Sequence, residues 1–110
     1  MEQLILPISE HMQAVGNRLR LLIKSLGIKQ VEAAAVMEVT KNHLGNWIRG
    51  VAYPRHYELY RFCRRYGVTA DYILLGDPSN LPQRVWEKLV LLEAAQAAQQ
   101  AAGLQAGESD

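Results

Sequence analysis

The sequence predicts an all-α protein, on three observations. Apolar residues recur at three- and four-residue intervals through most of the chain. Glycine, proline and threonine stand where such helices must stop and start. No stretch alternates apolar and polar residues for long enough to build a sheet.

Taken in order, Met12, Val15, Leu19, Leu22, Ile23 and Leu26 mark a first helix that Gly27 ends. Ser9 would cap a long version of it, Gly16 or Asn17 a short one. Residues 1–14 are therefore an arm or an extension of that helix, and Leu4, Ile5, Leu6 and Pro7 fit an arm or a short strand equally. A second helix covers Gln30 to Met37. Thr40 is placed to cap a third, from Lys41 to about Arg49, which Gly50 ends. Pro54 is placed to open a fourth, expected to bury His56, Leu59, Tyr60, Phe62, Cys63 and Tyr66 before Gly67. "VTADYILLG" reads as a short fifth helix capped by Thr69. "GDPSNLP" is dense punctuation, and residues 77–82 read as a linker. A sixth helix is expected over 83–102, ended by Gly103, with 103–110 a flexible tail.

Composition narrows the function classes. The chain has 110 residues, 49% hydrophobic and 21% charged, enough for one modest core. A single cysteine, Cys63, allows no internal disulfide, and its apolar helical face favours packing over nucleophilic chemistry. No apolar run approaches the ~20 residues that span a bilayer, and "MEQLILPISE" is too short and acidic for a signal peptide, so a cytoplasmic protein without a membrane partner is expected. There is no nucleophile–base pairing, no phosphate-cradling glycine loop and no metal-ligand spacing, so neither an enzyme nor a cofactor is expected.

Charge is unevenly spread. Val15 to Arg65 holds ten basic and three acidic residues, a net +7, while the remainder holds two basic and eight acidic, a net −6. A basic middle between acidic flanks suits an anionic partner.

The stretch "QVEAAAVMEVTKNHLGNWIRG", residues 30–50, gives that partner a shape. Two short helices joined by a three-residue turn cross steeply, so their backbones nearly touch at one small residue. Ala34 fits that point, and Ala33, Met37, Val39, Leu44 and Trp47 form the shared inner face. Lys41, Asn42, Gly45, Asn46 and Arg49 are then left along one outer edge. Lysine and asparagine there can reach base edges in the major groove of double-stranded DNA.

These residues resemble the helix-turn-helix of Cro and lambda-type repressors, the XRE family. The resemblance covers about Val15 to Gly76, and "RRYGVTADYILLGD" is similar to the family's fifth-helix segment. It implies a five-helix DNA-binding domain over 15–76, of prokaryotic or phage type, which binds two-fold operators as a homodimer. Carried over by position, Lys41, Asn42, Gly45 and Asn46 would face the bases. Gln30, Thr40, Arg49 and Arg55 would hold the DNA backbone, with Lys29 and Arg18 as further contacts. Gly45 would let the helix approach a thymine methyl. Family members usually have glycine where this chain has Glu38. Either the left-handed turn is kept at a cost of roughly 1 kcal/mol, or the turn changes shape. An ion pair common in the family is replaced by Ile23 and Ile48.

The sixth helix carries Val85, Trp86, Leu89, Val90 and Leu92. This is more apolar surface than a free helix exposes. Folding back on the core and pairing with a second copy both cover it. The expectation is a dimer contact through Val85, Trp86, Leu89 and Leu92. A second function class is an antitoxin-like module whose last helix grips a partner protein.

Overall fold

A computed structural model describes the backbone over residues 5–109 and the side chains over 5–103. It contains six helices: α1 (Ile8–Ser25), α2 (Gln30–Met37), α3 (Lys41–Ile48), α4 (His56–Tyr66), α5 (Ala70–Leu75) and α6 (Gln83–Ser109). There is no strand among the described residues. The fold is all-α, five helices and a sixth after a linker, as the periodicity predicts.

α1 is the central post and packs against α3, α5 and α6. Val15, Leu19, Leu22 and Ile23 share its inner face and are 2% exposed or less. Trp47, Phe62, Leu44, Met37 and Ile73 close around them. Ile23 and Ile48 both join this apolar cluster. α1 takes the longer of its two expected forms, with Pro7 rather than Ser9 before its first turn.

Gly16 does not cap α1. It lies inside the helix, against the end of α3. A Cβ there would sit 2.8 Å from the Ile48 carbonyl carbon, and closer still to the carbonyl oxygens of Trp47 and Ile48. One turn earlier, a Cβ on Gly50 would meet the Gln13 backbone at 2.9 Å. Gly50 is also left-handed, with φ 76°, which lets the chain leave α3 at this crowded point. Small residues thus bring α3 against α1 as well as against α2, where Ala33 and Ala34 are buried. Ala35, the third of the alanines, is exposed.

Several expectations need correction. His56 and Tyr60 of α4 face outward, and only Leu59 and Phe62 there are fully buried. Thr69 precedes α5, but its side chain makes no capping bond. α6 continues as backbone helix to Ser109, past Gly103, because the alanines and glutamines around that glycine are strong helix formers.

The largest correction concerns α6 itself. Val85 and Leu89 are 2% and 1% exposed within their own chain, and Leu92 packs against the same cluster. Val85 and Leu89 cover α1 and so cannot face a second copy. Further along, α6 is clasped to α1 by two reciprocal amide bonds. Asn17 Nδ2 donates to Gln96 Oε1 at 3.2 Å, and Gln96 Nε2 donates to Asn17 Oδ1 at 2.7 Å.

The Gly16 contact yields a test. Alanine normally favours a helix over glycine by about 1 kcal/mol. Here a methyl group would press on backbone, which cannot rotate away. Gly16→Ala is expected to lose about 1–3 kcal/mol in urea unfolding, the cost of overpacking. A gain in stability would show that α3 does not rest against α1 at this point.

Candidate nucleic-acid interface

α2 and α3 are held at a fixed angle by the turn between them. Glu38 adopts φ 59°, ψ 39°, so the left-handed turn is kept without glycine. The Glu38 N–H donates to the Ala35 carbonyl at 3.1 Å, and the Val39 N–H donates to the Ala34 carbonyl at 3.0 Å. These two bonds close α2 as a Schellman motif does. Thr40 then caps α3, its Oγ accepting from the His43 N–H at 3.0 Å.

α3 presents two faces. Leu44 and Trp47 point inward, 0% and 2% exposed. Lys41, Asn42 and Arg49 are exposed, and Gly45 and Asn46 half-exposed. Gln30, at the first turn of α2, joins Lys41, Asn42, Gly45 and Arg49 around one surface depression. Five of the residues expected at DNA are therefore brought together. Lys29, just before α2, is exposed, as is Arg55, whose guanidinium lies 3.3 Å from Glu58. His43 lies beside this face, its ring edge-on to Trp47 with centroids 5.9 Å apart.

Arg18 does not belong to this set. Its Nε donates to the Ile73 carbonyl at 2.9 Å and its Nη2 to the Leu74 carbonyl at 3.1 Å. It ties α1 to the last turn of α5, where carbonyls lack partners within their own helix. Those two donors are committed to the fold. Arg61 has a similar task. Its Nε donates to the Val36 carbonyl at 2.8 Å, and its Nη2 lies 3.7 Å from Glu38. That pairing draws the Glu38 carboxylate toward α4, and Glu38 does not line the depression.

Cys63 is half-buried beside Leu59 and Val68 in a groove between α4 and α5. Burial pushes its thiol up to about 11, so it stays protonated near neutrality and acts as packing.

The sequence reading missed Gly16 and Arg61. Gly16 carried a signal, being a glycine in register inside an amphipathic helix where alanine serves better. Arg61 carried none, because its acceptor lies 25 residues away in sequence.

A family model described as helix-turn-helix matches residues 19–73, half of the chain, from within α1 to within α5. Comparisons with curated proteins and with solved structures return no match.

The turn yields a second test. Glu38→Gly removes a left-handed side chain that costs about 1 kcal/mol and loses only an exposed ion pair worth about 0–1 kcal/mol. The urea midpoint is expected to rise, with the slope unchanged, for a net gain of up to about 1 kcal/mol. A fall would mean that the Glu38–Arg61 pair outweighs the backbone strain.

Proposed function

This chain belongs to the XRE-type helix-turn-helix family of Cro and lambda-type repressors, and its function is of the DNA-binding, transcription-regulator type; from that premise we propose that it is a repressor of prokaryotic or phage type that binds a palindromic operator as a homodimer. One observation supports the reading most. The polar edge of α3 and the first residue of α2 open on a single depression, backed by a buried Leu44 and Trp47 that hold the helix rigid. In this reading α3 enters the major groove. Lys41 and Asn42, on its first turn, reach guanine and adenine edges. Gln30, Thr40, Lys29 and Arg55 hold the sugar-phosphate backbone on either side.

A homodimer needs a surface other than Val85 and Leu89. Trp86 and Val90, one turn apart on α6, are 42% and 43% exposed, and Leu91 is 70% exposed. In a dimer this outward side of α6 meets its symmetry mate and sets two copies of α3 about 34 Å apart, one turn of DNA. The same exposed side supports the second reading, a module whose α6 holds a different protein.

Selection of bound sequences from random duplex DNA tests the reading of α3. The expected result is an enriched two-fold sequence. Asn42→Ala should then lose roughly 1–3 kcal/mol on that sequence and relax one base position. Gln30→Ala should weaken all sequences alike, because phosphate contacts carry little sequence information. Uniform loss in both variants would remove Asn42 from the reading role.

Sedimentation tests the assembly. The full chain is expected to self-associate at micromolar concentration, and Trp86→Glu to be a folded monomer. A wild-type chain that stays monomeric without DNA and on it would favour the partner-binding reading.

A further inference from the structure

The position-by-position expectation gives Arg49 to the phosphates and Asn46 to the bases. The geometry of α3 divides them differently. Arg49 is the residue after the last turn of α3, and its side chain runs back along the helix toward the N-terminal end, as helical side chains do. Its guanidinium comes to rest over Gly45, four residues earlier. A Cβ on Gly45 would lie 3.0 Å from Arg49 Nη1 and 3.8 Å from Cζ. The glycine is thus a clearing, occupied by the charged end of another side chain.

Asn46 fixes that end in place. Arg49 Nη2 donates to Asn46 Oδ1 at 2.6 Å. A bidentate contact of asparagine with adenine needs both its amide oxygen and its nitrogen. In Asn46 one lone pair of that oxygen is taken by Arg49, which holds the amide turned toward the guanidinium. Arg49, by contrast, uses one N–H of Nη2 on Asn46. That occupies only one of the two parallel N–H pairs of a guanidinium (Nε with Nη2, Nη1 with Nη2), and the other pair is kept to match O6 and N7 of guanine. It lines the same depression as Lys41 and Asn42, whereas Asn46 does not line it.

We propose that Arg49 is a guanine-reading residue, that Asn46 positions it, and that Gly45 is the clearance that lets it lie on the reading face. The proposal rests on α3 being the helix that enters the major groove. It adds a third reader to Lys41 and Asn42 and takes one role away from Asn46. It also gives Gly45 a task other than approach to a thymine methyl.

The experiment is selection from random duplex DNA with the full-length protein and four variants, Arg49→Ala, Asn46→Ala, Gly45→Ala and the double variant Asn46→Ala with Arg49→Ala. Affinities are then measured on the enriched site and on single-base changes of it. Arg49→Ala should abolish a guanine preference at one position per half-site, a loss of roughly 5- to 150-fold in discrimination there. Asn46→Ala should relax the same position by less, and the double variant should be no worse than Arg49→Ala alone. Gly45→Ala should fold with equal or greater thermal stability, since alanine favours the helix, yet lose discrimination at that same position.

Three results would overturn the proposal. Arg49→Ala could weaken every sequence alike and flatten the salt dependence by about one ion, which would return Arg49 to the phosphates. Asn46→Ala could relax a different position from Arg49→Ala, with additive losses, which would make Asn46 a reader in its own right. Gly45→Ala could leave the guanine preference intact, which would remove the clearance. A wild-type chain that enriches no sequence would instead overturn the DNA-reading role of α3 itself.

Discussion

Gly16 has no side chain, and the last turn of α3 fills the space where one would be. The rest of the arrangement depends on that contact. α1 is the helix to which α3, α5 and α6 are all attached. If α3 stood a methyl group further out, Trp47 and Leu44 would lose the wall they pack on, and the angle between α2 and α3 would no longer be set by the three-residue turn alone. A recognition element must be stiff, because base contacts fail over fractions of an ångström. Here stiffness comes from the close approach of backbone to backbone that Gly16 and Gly50 permit.

A division of labour among the cations follows from the same scaffold. Helices that end against the core leave carbonyl groups without partners of their own. Arg18 satisfies those of Ile73 and Leu74, and Arg61 satisfies that of Val36. These two arginines act as struts. Lys29, Lys41, Arg49 and Arg55 remain exposed around α2 and α3. The basic middle of the sequence thus holds cations that also tie helix ends together and cations that face outward without such a task, and both add to the field that a phosphate backbone meets.

Much of this was legible in the amino-acid order, and the illegible parts have physical causes. The five-helix plan, the inward set of Ala33, Ala34, Leu44 and Trp47 and the outward set beginning at Lys41 all follow from periodicity and from caps, which are local. The direction of α6 does not. Its apolar stripe states that something must cover Val85 and Leu89, but periodicity is silent on whether the cover is the same chain or another. The choice is made by α1, whose outer side needs covering too. For a related reason the sequence puts Arg18 among the phosphate contacts and gives no sign of the role of Arg61. A charged side chain is classified from its neighbours in sequence, and the carbonyls that claim these two lie on other helices. Glu38 shows the reverse case. The two bonds that close α2 put a left-handed residue at this position, and the chain accepts the strain of placing Glu38 there.

The clasp between Asn17 and Gln96 has an implication of its own. Both partners are amides, so neither titrates and neither attracts counterions. Contacts with a polyanion weaken steeply as ionic strength rises, in proportion to the phosphates neutralised. The anchorage of α6 on α1 has no such dependence. A change in cellular salt would therefore loosen the grip on a polyanion while the body of the molecule kept its shape, ready to rebind.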